Sequence, residues 1–336
     1  MERVELDPGL RGVVTARRAM VYAAREHPEQ PAHVRAGSGV GWFRGRLLVA
    51  QDDVNYLALV DPSTGLAHPV PLPPVEGTRV FGEALGNKHH KLDLEALFVW
   101  DGVCWALGSG STPARRTVVR WDGTAPELVQ CGELYALLEA TEGFAGSELN
   151  VEGAAALPRP GGAVLRLFQR GNGAPRGGLS PQSATVDLPL GALLGYFERC
   201  RSAPDAPVPE AVQRALAGAL AWDLGRARSP THDREVPWTF TDGCAGRDGA
   251  ALYLAAAEDS PDTYHDGPCI GAALGVQTPD GRARQGLLFD RGGAALTDKP
   301  EGLVLDRHDP AVAWVVLDRD DPDTPSALCR VELRGV

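Results

Sequence analysis

Asp93-Leu-Glu95-Ala-Leu97, Asn150-Val-Glu152-Gly-Ala154 and Pro300-Glu301-Gly-Leu303 begin three stretches of the chain in one way, with an apolar run that opens on a glutamate. Ser38-Gly-Val-Gly41 opens a fourth copy with Ser38 in the glutamate's place, and Trp238-Thr-Phe-Thr-Asp242 opens a divergent fifth. The steps from Ser38 to Glu95 and from Glu95 to Glu152 are both 57 residues. The step from Glu152 to Thr239 is 87 residues and the last, to Glu301, is 62. Residues 190–224 account for the longer third step: LGALLGYFERC and PEAVQRALAGALAWDL carry i, i+3, i+4 apolar spacing, the period of a helix. A period sustained over most of a chain marks a repeat architecture.

Each copy continues through a Gly-, Pro- or Asp-rich turn to a second apolar run that ends in polar residues, then to a third run. The polar endings are Gln51-Asp52-Asp53, Gly108-Ser109-Gly-Ser111-Thr112, Gln169-Arg170-Gly-Asn172, Glu258-Asp259-Ser-Pro-Asp262-Thr263 and Asp318-Arg-Asp320-Asp321-Pro-Asp323-Thr324. A unit of four antiparallel strands, too long for a WD40 repeat, reads as a propeller blade. The last copy leaves room for three strands, so a run from Arg3 to Leu6 or from Val13 to Tyr22 is expected to supply the fourth and close the ring. The fold class that follows is all-β: a single β-propeller domain over residues 1–336 with a helical insertion at 190–224. It has five four-stranded blades, or six if the N-terminal 37 residues make more than one closing strand.

Composition agrees with a globular β protein. Hydrophobic residues are 43% and charged residues 23%, which excludes wholesale disorder, and 40 Gly with 27 Pro suit many tight turns. The net charge is −11 and no basic run exceeds pairs such as Arg17-Arg18 or Arg115-Arg116, so no nucleic-acid partner is expected. No apolar stretch approaches the roughly 20 residues of a membrane helix, and MERVELDPGL lacks the pattern of an export signal, so the expectation is a cytoplasmic protein without a membrane partner. Six scattered cysteines with no C-x-x-C read as reduced thiols packed in strands.

The chain resembles the bacterial phytase-like propellers, including members with K-x-D-x-E-A-L, G-S-G-S, N-x-E-G-A, R-G-N, and E-G-L followed by D-x-D-D-P. Here these stand as Lys91 to Leu97, Gly108 to Ser111, Asn150 to Ala154, Arg170 to Asn172, and Glu301 with Asp318 to Pro322, covering most of residues 36–334. The resemblance implies a propeller with calcium in or near its central channel. It transfers no catalytic residue, because the motifs of the characterised phytases are not matched closely enough.

In antiparallel neighbours the start of the first strand lies beside the end of the second, so the glutamates and the polar endings are expected to converge at one channel mouth. Glu95, Glu152 and Glu301 would ring it, with Asp52, Asp53, Ser109, Ser111, Arg170, Asp242, Glu258, Asp259, Asp318 and Asp320 around them. Carboxylates this dense repel unless a cation neutralises them, and calcium accepts six to eight oxygens in flexible geometry. The expected metal ligands are Glu95, Glu152, Glu301, Asp242, Asp259 and Asp320; the competing expectation is that each glutamate pairs with a Lys or Arg of the next blade and locks the ring.

The lysines add a second signal. Against 30 arginines the chain has three lysines, Lys88, Lys91 and Lys299, all just ahead of a first-strand glutamate. A compact ammonium there fits an anionic substrate, with Arg115, Arg116, Arg170 or Arg176 assisting. Lys88, Ser109, Arg170 and Lys299 are therefore the expected substrate contacts, and His89, Lys91 and Glu95 the expected catalytic groups, with His90 and His265 as further candidate bases. No GK[ST], H-E-x-x-H or G-x-S-x-G is present, and Asp318-Arg-Asp320-Asp321 lacks the glycine and the terminal glutamate of an EF-hand loop. The expected function is a metal-dependent hydrolase of a small anionic ester, phosphoester or lactone. The alternative is a non-catalytic propeller that binds a ligand or a protein partner, with any metal structural.

Overall fold

Five strands, Gly37–Phe43, Leu94–Trp100, Val151–Leu157, Thr239–Ala245 and Lys299–Leu305, each open an antiparallel sheet, and each packs beside the next in a closed ring, the fifth against the first. The structure, a computed structural model, describes residues 1–259 and 267–336. His265 and Ser260 to Thr263 lie outside the described residues. Behind each inner strand come a second (Arg46–Gln51, Val103–Gly108, Val164–Gln169, Ala251–Glu258, Val312–Asp318) and a third (Tyr56–Val60, Thr117–Trp121, Ser183–Pro189, Cys269–Gln277, Ala327–Arg334). The fold is an all-β propeller of five blades, not six.

The inner strands approach one another closely because the residue after each ring position is small in four of the five. A Cβ on Gly302 would lie 2.2 Å from the Ser38 carbonyl oxygen, and one on Gly153 2.7 Å from the Gly243 nitrogen. Apolar faces of neighbouring blades fill the spaces between sheets: Phe168, Phe240 and Tyr253 meet edge to face between the third and fourth blades, with centroids 5.3 and 5.0 Å apart.

The N-terminal segment engages four blades rather than one. Glu2–Arg3 runs parallel to Leu220–Asp223 on the third blade, Glu5–Leu6 parallel to Ala283–Phe289 on the fourth, and Val21–Tyr22 parallel to Leu66–Pro71 on the first. Between them Arg11–Ala19 pairs antiparallel with Ala327–Arg334 and completes the fifth blade. Of the two expected closing runs, Val13 to Tyr22 overlaps the strand that closes the last blade from the opposite end of the sequence, whereas Arg3 to Leu6 pairs on the third and fourth blades instead.

Residues 190–224 are not helical throughout. Leu190–Cys200 and Glu210–Ala215 are helices, but Leu220–Asp223 is the fourth strand of the third blade. There the Trp222 indole donates to Thr185 Oγ1 of the neighbouring strand at 2.8 Å. The first helix buries Leu193, Tyr196 and Phe197, the last against Trp105 of the second blade. All six cysteines are free, five of them buried. Among the described residues no helix is long and apolar enough to cross a membrane.

Candidate metal and anion site at the channel mouth

Four of the five inner strands carry one unpaired residue near the start, a bulge between two ladder positions. Glu95 stands between Leu94 and Ala96, Glu152 between Val151 and Gly153, Thr241 between Phe240 and Asp242, and Glu301 between Pro300 and Gly302. Ser38 occupies the same place in the wider irregularity between Gly37 and Val40. A bulge re-aims a side chain out of the sheet. The fourth-blade equivalent is therefore Thr241, two residues beyond the position that spacing alone assigns. At the two hydroxyl positions the next blade is held directly: Ser38 Oγ donates to the Leu94 carbonyl, and Thr241 Oγ1 to that of Pro300. Carboxylates at the other three cannot donate this bond.

Ser38, Glu95, Glu152 and Glu301, but not Thr241, line a cavity of about 760 Å³ whose wall also includes Asp52, Lys91, Asp93, Ser111, Arg115, Asn150, Arg170, Lys299 and Asp320. Oxygens of Glu95, Glu152 and Glu301 lie within 4.8 Å of one another, and so do those of Asp52, Asp93 and Glu95. Lysine fills the second cluster: Lys91 Nζ is 2.6 and 2.8 Å from the two Asp52 oxygens and 2.5 Å from Asp93 Oδ1. Arg115 reaches Asp93 Oδ2 at 2.8 Å, and Ser109 donates to the same oxygen. Lys299 likewise sits among Glu301, Asp320 and Glu258, at 2.8, 3.4 and 3.6 Å. Arg170 bridges Glu152 at 3.1 Å and Glu258 at 2.5 Å.

The cluster of Glu95, Glu152 and Glu301 has no cation of its own at its centre. Glu152 and Glu301 each use Oε1 for their ion pair and leave Oε2 buried without a hydrogen-bond partner. Among the described residues Glu95 alone of the three pairs with no lysine or arginine. Burial, reinforced by Asp52 and Glu152, raises its carboxyl well above the usual range. Burial likewise pushes Glu301 up to about 8 against the pull of Lys299, and raises Glu152 against that of Arg170. Asp93 behaves oppositely: burial raises it, but Lys91 and Arg115 outweigh that and hold it well below the carboxylate range.

Several sequence expectations change with the geometry. Lys91 is not free to act as a catalytic group, since two carboxylates hold its ammonium. Arg170 and Lys299, expected as substrate contacts, are bound to glutamates in the same way. Ser109 is fully buried on Asp93, and Ser111 lines the cavity in its place. Asp242 locks blades together: its Oδ2 accepts from the Leu303 amide at 2.7 Å. Asp259 is held outside the cavity wall by Ser229, Arg234 and His232 Nδ1, the last at 2.7 Å. Sequence reasoning could not see this because all three partners come from a loop with no motif. Asp53 pairs with Arg35, and Arg116 with Glu139 at 2.7 Å, away from the ring cluster.

Lys88, bound to Glu83 at 2.9 Å, and His89, its ring 3.9 Å from that of His90, are exposed on the cavity rim with Arg176. Asp320 is a wall residue paired with Lys299. The residue missed as a site group is Asp93, although Lys91-x-Asp93-x-Glu95 alternates as a strand face does.

Family comparison places the chain. Residues 33–333 match the model of DUF6929, a family of unknown function, and the chain belongs to that family. No curated protein matches it in sequence. Among solved structures it is similar to Myxococcus xanthus glutaminyl cyclase, with 10% identity, 97% of this chain and 99% of that chain covered, and a TM-score of 0.47. It is also similar to a GDP-Man-dependent mannosyltransferase from Leishmania mexicana, at 9% identity, 95% and 89% coverage and a TM-score of 0.48. A GH43 endo-arabinanase from Bacillus licheniformis gives 10%, 90% and 93%, and 0.38. The propeller described above rests on the chain's own strand pairing.

Proposed function

We propose that the mouth of the channel binds a divalent cation on Glu95, Glu152 and Glu301 and, with it, hydrolyses a small anionic ester. One observation carries this reading: lysines fill the other two carboxylate clusters of the mouth, whereas this one keeps two buried glutamate oxygens without a partner. The donor set fits calcium. Oxygens around one calcium ion lie at most about 5 Å apart, from bond lengths of about 2.3–2.6 Å, and no two of these three oxygens are more than 4.8 Å apart.

Calcium held there would polarise an ester or phosphoryl oxygen and acidify a water. The chain's own residues supply the rest. Nine carboxylates line the cavity against six lysines and arginines, so a free anion is repelled until a cation is in place. The anion would then meet Lys88 and Arg176 at the rim, with Asn150 offering an amide beside Glu152. His89, exposed on the rim, is the candidate general base. Among the described residues His89 is also the only aromatic side chain on the wall, which favours a compact polar substrate over one bound by stacking.

A second reading, a non-catalytic propeller that binds a ligand or protein, has one observation in its favour: Lys91, Arg170 and Lys299 are all engaged internally. Chelator-treated protein with and without calcium, assayed on phosphomonoesters and lactones, separates the two. Calcium-dependent turnover abolished in Glu95→Gln supports the hydrolase. A calcium-loaded chain inert to both substrate classes overturns it.

A further inference from the structure

Glu95 belongs to both carboxylate clusters, one with Glu152 and Glu301 and one with Asp52 and Asp93. The ring therefore has the layout of two adjoining cation positions that share one bridging glutamate. They differ in what neutralises them. The first has unpartnered buried oxygens, Glu152 Oε2 and Glu301 Oε2. In the second, Lys91 Nζ lies 2.5 to 2.8 Å from three carboxylate oxygens, the spacing at which an ammonium does the work of a metal. Lys91 is only 7% exposed, so this charge is fixed in place by the fold.

We propose that Lys91 is a built-in second cation, and that it limits the ring to a single exogenous divalent ion. The inference rests on the metal reading above. Its logic is charge and geometry. Asp52 Oδ1 and Oδ2 and Asp93 Oδ1 already converge on one point, and a hard cation takes such oxygens as readily as an ammonium does. With Lys91 present, a second divalent ion would stand against a fixed positive charge. With its charge removed, Asp52, Asp93 and Glu95 form an acidic cluster beside the first ion whose remaining counter-ion is Arg115, on Asp93 Oδ2 at 2.8 Å, leaving Asp52 and Asp93 Oδ1 unneutralised.

Native mass spectrometry and calorimetry of chelator-stripped protein titrated with calcium test this. The unaltered chain is expected to bind one ion and Lys91→Met two. Lys91→Gln, which keeps an amide to hydrogen-bond Asp52, is the milder variant and is likewise expected to bind two. Either variant folding only in calcium, with two ions per chain, also supports the proposal. Two ions in the unaltered chain, one in both variants, or failure of both to fold at any calcium concentration would overturn it. No ion in the unaltered chain would instead remove the metal reading itself, so the two failures are distinct.

Discussion

Removing the charge of Glu95 separates a cation site from a ring of ion pairs. In the chelated protein Glu95 faces Glu152 and Glu301 with no lysine or arginine of its own. Two ionised carboxylates at the 4.8 Å limit of the cluster repel by about 3.5 kcal/mol at an effective dielectric constant of about 20. Protonation caps the penalty: holding neutral at pH 7 a carboxyl whose ordinary value is 4.5 costs about 3 kcal/mol. Glu95→Gln, equal in shape and uncharged, should therefore stabilise the chelated protein by up to about 3 kcal/mol. For 336 residues, at about 2.1 cal/mol/K of unfolding entropy each, that is a rise of about 4 °C in Tm. The same change removes one ligand, so the increment that saturating calcium adds to the native chain, about 2.7 kcal/mol at a hundred times Kd, should shrink. Differential scanning calorimetry with chelator and with calcium reads both. A variant less stable than the native chain in chelator, with no calcium shift in either, would refute the reasoning, because Glu95 would then be holding a buried positive partner.

Burial raises Glu95 and Glu152 and pushes Glu301 up to about 8, so between about pH 5 and 8 the folded chain holds protons that the unfolded chain has released. Stability of the chelated protein should fall as pH rises through that window, by up to about 1.4 kcal/mol per pH unit per group, and calcium should flatten the slope; a chelated protein equally stable at pH 5 and 8 would contradict this. Deleting residues 1–19 removes the strand that completes the fifth blade and the pairings on the third and fourth, exposing sheet edges, so light scattering should show aggregation. Asp259→Asn should lower Tm through loss of its bonds to Ser229, His232 and Arg234 but leave the calcium-induced shift intact; a lost shift would put Asp259 back among the metal ligands.

The repeat was legible because one residue type recurred at equal steps: Glu95 and Glu152 stand 57 apart and mark the same bulge in consecutive blades. Blade closure was legible as a missing strand. The fourth blade was misplaced by two residues because its ring position is Thr241, and a threonine among Thr239, Phe240 and Thr241 gives spacing nothing to lock on to. The outer strand Leu220–Asp223 was hidden in a helical pattern for a similar reason: four residues after a periodic segment carry no signal of their own. Within the site, the convergence of glutamates and lysines followed from antiparallel topology alone. Which lysine neutralises which carboxylate did not, because Lys91 pairs with Asp52 of the preceding blade, 39 residues earlier. Asp259 is the clearest miss: it borders Glu258 in sequence, yet it lies just past the strand's end and its carboxylate is held by Ser229 and His232.

Anomalous diffraction from crystals grown with terbium, a calcium substitute with a strong signal, tests the central claim most directly. The account predicts one peak per chain within bonding distance of Glu95, Glu152 and Glu301, with Lys91 still seated on Asp52 and Asp93. A fully occupied peak elsewhere, or a ring cluster in which Arg170 or Lys299 has moved to cover the two free glutamate oxygens and no ion binds, would contradict it.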